Sequence, residues 1–178
     1  MTQLPFPNLF SPISIAGKTI RNRIMSTGHD TTIPDDGTIN DAYVAYQESR
    51  ARGGVGLIVL QVSAIHDSAR YSSHVLMATD DASIDGYRKM AVACHRHGAL
   101  VYGQLFHPGR EIMETADGLA PVAYSASAVP QDRFHVMPLE ASVDLIAEFV
   151  SGYSGAARRL EFEVDTIASQ LRRNYRFP

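Results

Sequence analysis

The chain has 178 residues, 45% of them hydrophobic and 20% charged, and its net charge is -3. This composition is typical of a soluble globular domain with a sizeable core, and the net negative charge argues against a nucleic-acid partner. The single cysteine, Cys94, excludes an intrachain disulfide and favours a reducing compartment, so we expect a cytoplasmic protein.

Neither a targeting segment nor a membrane span is expected. The N-terminus, MTQLPFPNLF, lacks the positively charged and long apolar segments of a signal peptide. The longest apolar run, VGLIVLQV at 55–62, is far shorter than the roughly 20 residues that a membrane-spanning helix requires.

The first part of the chain predicts a hairpin followed by an internal strand. Apolar and polar residues alternate through Ile13 and Ile15, and Ile20 follows a turn at 16–18. This alternation predicts a short β-hairpin. The chain then enters a strand at 23–26 and a loop rich in turn-forming residues.

A helix and a second strand come next. Asn40 is placed to cap a helix that runs to about Arg52, where Gly53-Gly54 ends it. The segment VGLIVLQVS at 55–63 is a continuous β-branched and aliphatic run, which is typical of a strand covered on both faces.

The same order of elements is then repeated. Ser83 is expected to cap a second helix that ends at Gly98, and a strand at 99–105 follows directly. A third helix is predicted at about 143–160 and a short fourth strand at 163–167. The apolar positions expected to face the core are Ile84, Tyr87, Met90, Ala91 and Cys94 in the second helix, and Leu145, Ile146, Phe149, Val150, Tyr153 and Leu160 in the third.

Alternating strands and helices predict an α/β fold with a parallel sheet. Right-handed crossovers place the C-terminal ends of all the strands at one edge, which is where such folds bind ligands. Polar or small residues follow each of the first three strands, so a binding site is predicted there. They are Ser26, Thr27, Gly28 and His29 after the first strand, Gln61, Ser63 and His66 at the second, and Gln104, His107 and Arg110 at the third.

The usual signatures of other chemistries are missing. GGVG at 53–56 matches neither a dinucleotide-binding motif nor a phosphate loop and precedes a strand, so it is interpreted as a helix stop. GYSG at 152–155 is one residue short of a serine hydrolase motif and lies inside the third helix. Cys94, His95 and His97 lie at a helix end that faces away from the strand exits, so no metal site is predicted.

Gln104 is the residue whose chemistry is most informative. A primary amide at a strand exit offers donors and an acceptor together, and these match the adjacent N–H and C=O groups of a flavin's pyrimidine edge. Small residues at 26–28 allow a flat ring to approach the backbone. The alternatives are a Gln104 that merely ends its strand, and an Arg110 that forms an ion pair with Glu111 or Glu114.

Three stretches of the chain resemble the N-terminal half of the old yellow enzyme family, also called the NADH:flavin oxidoreductases. LFSPISIAGKTIRNRIMS resembles the family's opening hairpin and first strand, and YQESRARGGVGLIVLQVSAI resembles its first helix and second strand. HRHGALVYGQLFHPGRE carries the family's Q-L-x-H-x-G-R string. The ene-reductase and 2,4-dienoyl-CoA reductase branches are the most similar.

The resemblance implies a TIM (β/α)8-barrel that binds FMN, of which this chain supplies the N-terminal hairpin and three to four β/α units. It implies hydride transfer from NADH or NADPH through FMN to a small molecule such as an activated alkene. Five residues would bind the cofactor, and three more are candidates for contact with substrate or flavin. The cofactor set is Ser26, Thr27, Gly28, Val62 and Gln104, and the further candidates are His29, His107 and Arg110.

The resemblance breaks after the third helix. The family's polar residues after the fourth strand have no counterpart, so no catalytic role is assigned to Tyr175 and the catalytic residues are unknown. We expect residues 1–160 to be the N-terminal part of an FMN-binding barrel and residues 161–178 to be a divergent or truncated basic tail. We also expect the chain alone to bind FMN weakly or not at all, and not to turn over. The alternative is a non-catalytic module that associates through exposed sheet edges.

Overall fold

The computed structural model describes residues 6–15, 17–112, 119, 122–133, 135–161 and 165–169. The strands are β1 (Ile13–Ile15), β2 (Lys18–Ile20), β3 (Met25–Ser26), β4 (Leu57–Ala64), β5 (Leu76–Met77), β6 (Leu100–Phe106), β7 (Tyr124–Ser125), β8 (Leu139–Glu140) and β9 (Thr166–Ser169). The helices are α1 (Asp41–Arg52), α2 (Ile84–His95) and α3 (Val143–Glu161).

A five-stranded parallel sheet organises the fold. Its strand order is β3-β4-β6-β9, and β5 pairs with the end of β4. The hairpin β1–β2 is antiparallel, as the alternation around residue 17 predicts. The predicted α/β architecture is therefore confirmed, with helices connecting parallel neighbours.

The cap of α1 agrees with the prediction, whereas the cap of α2 does not. Asn40 accepts a hydrogen bond from the Tyr43 backbone N–H at 2.9 Å. Ser83 makes no side-chain cap. Instead its hydroxyl donates to the Asp80 carbonyl at 2.7 Å. The carboxylate of Asp80 accepts from the Ala82 N–H at 2.9 Å and caps a short 3-10 helix, Asp81–Ser83, that leads into α2.

The main core lies between the sheet and the three helices. Its buried members include Tyr43, Ile58, Leu60, Met90, Phe149 and Leu160. The sequence-based prediction of a buried stripe in α3 is wrong for two residues, because Ile146 is 48% exposed and Val150 is 63% exposed. Helix α3 rests on the sheet through Phe149, Ala156 and Leu160, so these two side chains point to its other side in the described structure.

A bulge interrupts the pairing of β4 with β6. Val59 pairs with Tyr102 but Val62 pairs with Gln104, so β4 carries one residue more than β6 between these points. The N–H of Gln61 lies within the bulge and donates to the Tyr43 hydroxyl at 3.1 Å. Tyr43 is fully buried, and its burial raises the pKa of the phenol to about 12.

Replacing Tyr43 by phenylalanine is expected to lower the free energy of unfolding by roughly 2 kcal/mol, because the buried Gln61 N–H then loses its acceptor. Urea denaturation measures the effect. Tyr102→Phe is the matched control, because the Tyr102 hydroxyl makes one longer bond, 3.3 Å, to Ile15. Equal losses in the two variants would contradict the role given to Tyr43.

The fourth strand lies later than predicted. The sequence indicates 163–167, whereas β9 begins at Thr166 and pairs Ala168 with Gln104. Asp165 precedes β9, and its side chain accepts from the Val101 N–H at 2.8 Å, which helps to place β9 beside β6. Of the tail predicted at 161–178, the structure describes Glu161 at the end of α3 and residues 165–169, which include β9, whereas residues 162–164 and 170–178 lie outside the described residues.

No helix in the described part of the chain has the length and apolar character needed to span a membrane.

Candidate functional site

A cavity of about 260 Å³ opens where β3, β4 and β6 end. It brings together four of the predicted site residues, and three further residues also line it. The predicted residues are Gly28, His29, Val62 and Gln104, and the others are Asp30, Tyr71 and Phe106. Pairing of Val62 with Gln104 across the bulge places both side chains on one face of the sheet.

Gln104 and Gly28 meet at the wall of this cavity. Gln104 is 8% exposed, and its side-chain oxygen Oε1 is buried and accepts no hydrogen bond from the described residues. A Cβ on Gly28 would overlap that oxygen and would lie 2.8 Å from the Leu60 carbonyl oxygen. A side chain at position 28 would therefore displace this amide, and the buried amide oxygen has no hydrogen-bond partner among the described residues.

His29 lines the cavity with both ring nitrogens engaged. Nδ1 lies 2.8 Å from the Thr27 carbonyl, to which it can only donate, so in the neutral ring Nε2 accepts from the Tyr46 hydroxyl at 2.7 Å. The Arg50 guanidinium donates to that hydroxyl and lies 3.6 Å from the centre of the Tyr46 ring. The Thr27 carbonyl therefore fixes the tautomer of this imidazole, and Tyr46 of α1 helps to fix its orientation.

The other residues of the first strand exit lie beside the cavity without lining it. Ser26 pairs with Ile58 at the edge of the sheet, and the carbonyl of Thr27 orients His29. Both positions stay candidates for backbone contact with a flat ring.

His107 lies outside the cavity, in a separate chain of hydrogen bonds. Its Nδ1 accepts from the Gly109 N–H at 3.0 Å, so Nε2 donates to the Ser68 hydroxyl at 3.0 Å. Ser68 in turn donates to Nδ1 of His66 at 2.8 Å, and Nε2 of His66 lies 3.4 Å from Glu148. These bonds join the ends of β4 and β6 to α3.

His107 is also held in an apolar contact. Its ring lies 4.2 Å from that of Phe149, and burial together with nearby His66 lowers the pKa of His107 from 6.5 to about 4. Between these values the unfolded chain binds a proton that the folded chain does not. The part of the folding stability that depends on a neutral His107 is therefore fully present above pH 6.5 and is lost as the pH falls towards 4.

We expect His107→Gln to flatten the pH dependence of stability between pH 6.5 and 4 by about 2 kcal/mol relative to the unmodified protein. Urea denaturation at a series of pH values measures it. His135→Asn, which removes an exposed imidazole elsewhere in the described structure, is the control variant. A His107 variant with the original slope would show that another group titrates.

Arg110 also lies outside the cavity. Its side chain faces Glu111, with 3.8 Å between Nε and the nearer carboxylate oxygen, as the ion-pair alternative anticipates.

The cysteine and the two histidines at the C-terminal end of α2 each have different surroundings. Cys94 is buried, and burial raises the pKa of its thiol to about 12. His95 contacts Asp165 at 2.7 Å, and His97 contacts Glu48 at 3.1 Å.

A larger cavity, about 350 Å³, lies between the 36–39 loop and the start of α2. None of the predicted site residues lines it, and Arg70 at its wall is paired with Asp36 at 2.6 Å. The smaller cavity is the candidate site because it lies at the carboxyl ends of parallel strands and contains the buried amide oxygen without a partner.

Sequence signals pointed to the residues next to the strand ends and missed the rest of the lining. Asp30 and Phe106 each adjoin a segment that was singled out, so a wider window would have included them. Tyr71 comes from a loop 41 residues away from Asp30 in the chain, and no local pattern marks it.

Solved structures with the same fold are TIM barrels, and two of them are reductases. A 2-naphthoyl-CoA reductase superposes with a TM-score of 0.82 at 24% identity, over 91% of this chain and 27% of that one. Morphinone reductase in complex with tetrahydroNAD superposes with a TM-score of 0.80 at 22% identity, over 92% of this chain and 49% of that one. The described units are thus part of a TIM-barrel fold.

Sequence comparison identifies relatives of the same kind. The NADH oxidase of Thermoanaerobacter brockii is 35% identical over 157 residues, which are 86% of this chain and 24% of that protein. The NADPH dehydrogenase of Geobacillus sp. (strain WCH70) is 33% identical over 156 residues, which are 85% of this chain and 44% of that protein. The chain therefore spans less than half the length of these relatives.

The model of the NADH:flavin oxidoreductase / NADH oxidase family matches residues 8–166, which include every residue that lines the cavity. The chain belongs to this family.

Proposed function

We propose that this chain supplies part of the FMN site of an oxidoreductase of the old yellow enzyme type, and that the chain alone does not turn over. The proposed reaction transfers hydride from NADH or NADPH to an activated alkene or a similar small-molecule acceptor. Residues 1–160 are proposed to be the N-terminal part of an FMN-binding barrel. Family membership over 8–166 and the cavity at the strand ends support this function.

One observation carries the proposal: the buried Oε1 of Gln104 has no donor among the described residues and lies against Gly28. The pyrimidine edge of a flavin presents an N–H group, from which this oxygen can accept a hydrogen bond. Val62 and Phe106 supply apolar surface beside it. The residues present therefore fit the edge of an FMN ring.

The chemistry that bound FMN supplies is hydride transfer between NAD(P)H and an acceptor. In the proposed site Gln104 binds and orients the ring edge, and Gly28 leaves room for the Gln104 amide. Val62 and Phe106 exclude water from one side. His29, fixed by Thr27 and Tyr46, offers a ring of known orientation beside the flavin.

Titration of the 15N-labelled 178-residue chain with FMN and with lumiflavin, which lacks the ribityl phosphate, tests the proposal. We expect amide shifts around 26–31, 62 and 104–106, with affinities in roughly the millimolar range. FMN should bind no more tightly than lumiflavin, because none of the described residues that line the cavity is a lysine or an arginine. Gln104→Leu should weaken both ligands at least tenfold.

Shifts confined to another surface, or none at saturating lumiflavin, would overturn the proposal. NADPH oxidation by the chain alone is expected to be undetectable. A yellow monomer that oxidises NADPH would contradict that expectation.

Self-association is the second candidate function. Strands β3 and β9 each have one neighbour in the described sheet order, and Val143, Ile146 and Val150 of α3 are exposed. We propose that a second copy of the chain covers these surfaces. Sedimentation velocity should show a dimer that Val150→Glu disrupts, and a monomer at all concentrations would contradict it.

A cytoplasmic location is proposed from the single, buried Cys94.

A further inference from the structure

The candidate cavity contains one carboxylate that is only partly engaged. Asp30 is exposed at the cavity wall, and its Oδ2 accepts a hydrogen bond from the Tyr71 hydroxyl. Among the residues that the structure describes, no basic side chain forms an ion pair with Asp30 and no donor is bonded to its Oδ1. One carboxylate oxygen is thus free to accept from a ligand.

Tyr71 fixes the orientation of this carboxylate. Its side chain is 7% exposed, and its ring packs edge-on against Phe106, with 5.5 Å between ring centres and an angle of 70°. Burial, and then the hydrogen bond to Asp30, raise the pKa of Tyr71 far above its usual value of 10. The phenol therefore stays protonated and always donates.

The remaining lining does not neutralise Asp30. Gly28, Val62, Gln104 and Phe106 carry no charge, and both nitrogens of His29 are engaged by Thr27 and Tyr46. Negative charge in a cavity of this kind attracts cations and donors of hydrogen bonds and repels anions.

We propose that Asp30, held by Tyr71, is a specificity-determining residue of this cavity. It selects a flat ring that is cationic or carries amide N–H donors, as a nicotinamide ring does, and rejects rings that carry a carboxylate. The proposal rests on the proposed function, because it places this ring beside the flavin.

Three ring compounds of similar size and different charge test the selection. They are 1-methylnicotinamide, which is cationic, benzamide, which is neutral, and benzoate, which is anionic. We expect 1-methylnicotinamide to bind the 15N-labelled chain about tenfold more tightly than benzoate, with shifts at Asp30 and Tyr71. Asp30→Asn should remove most of this preference between the charged probes. It should leave benzamide within twofold, because the asparagine amide oxygen can still accept from the carboxamide N–H. Tyr71→Phe should reduce the preference by freeing the carboxylate to rotate.

Asp36→Asn is the matched control, because Asp36 is an exposed carboxylate that pairs with Arg70 outside this cavity. It should leave the preference unchanged. It should also leave lumiflavin binding unchanged, because Asp36 does not line this cavity. If lumiflavin binds and the three probes bind equally, the assignment of Asp30 is overturned while the proposed function stands. If lumiflavin does not bind, the proposed function fails.

Discussion

Replacing Gly28 by alanine is expected to weaken lumiflavin binding at least tenfold and to lower the free energy of unfolding by about 2 kcal/mol. The added Cβ would overlap Oε1 of Gln104 and lie 2.8 Å from the Leu60 carbonyl oxygen. The amide must then leave its buried position and can no longer present its oxygen to the ring. The 15N titration and urea denaturation measure the two effects.

Gly53→Ala is the control for this variant. Gly53 ends α1 with a φ of -70°, which any residue adopts, and a Cβ there would meet its nearest atoms at 3.4 Å. It should leave both lumiflavin binding and stability close to those of the unmodified chain. If Gly28→Ala behaves like Gly53→Ala, the amide of Gln104 does not contact the ring.

Gly152→Ala is expected to lower the free energy of unfolding by about 2 kcal/mol, although alanine is the better helix former. A Cβ at Gly152 would lie 2.5 Å from the Ile65 carbonyl oxygen at the end of β4. That oxygen belongs to the backbone, so α3 must move off the sheet. The strain of roughly 3 kcal/mol exceeds the gain of about 1 kcal/mol in helix propensity.

Gly155→Ala in the same helix makes the comparison decisive. Its Cβ would meet only the flexible end of Arg159, at 3.0 Å, so the helix propensity should raise the free energy of unfolding by about 0.5–1 kcal/mol. Urea denaturation of both variants therefore tests the sign as well as the size. Stabilisation by both substitutions would show that α3 does not approach Ile65 as described.

The sequence predicted the elements well where local chemistry acts alone. The Asn40 cap, the hairpin around residue 17 and the apolar run of β4 all depend on neighbours in the chain, and each occurs as predicted. The predictions were wrong where a choice depends on distant groups. Asp80 replaced Ser83 as the capping side chain, and Ile146 and Val150 lie outside the packed face of α3.

The candidate site shows the same division. Residues next to the strand ends could be singled out from the sequence, and the cavity contains Gly28, His29, Val62 and Gln104. Their roles in binding a flavin remain predictions. His107 and Arg110 come from the same string as Gln104, yet the structure pairs them with Ser68 and Glu111 outside the cavity.

By itself the sequence determined the family and the order of strands and helices, because motifs and hydrophobic periods are local properties. Only the tertiary structure decided which exit residues share a face. The extra residue in β4 pairs Val62 with Gln104, and side chains alternate along a strand, so one residue more or less would turn Val62 away. The contact of Asp30 with Tyr71 likewise exists because folding brings together residues 41 positions apart.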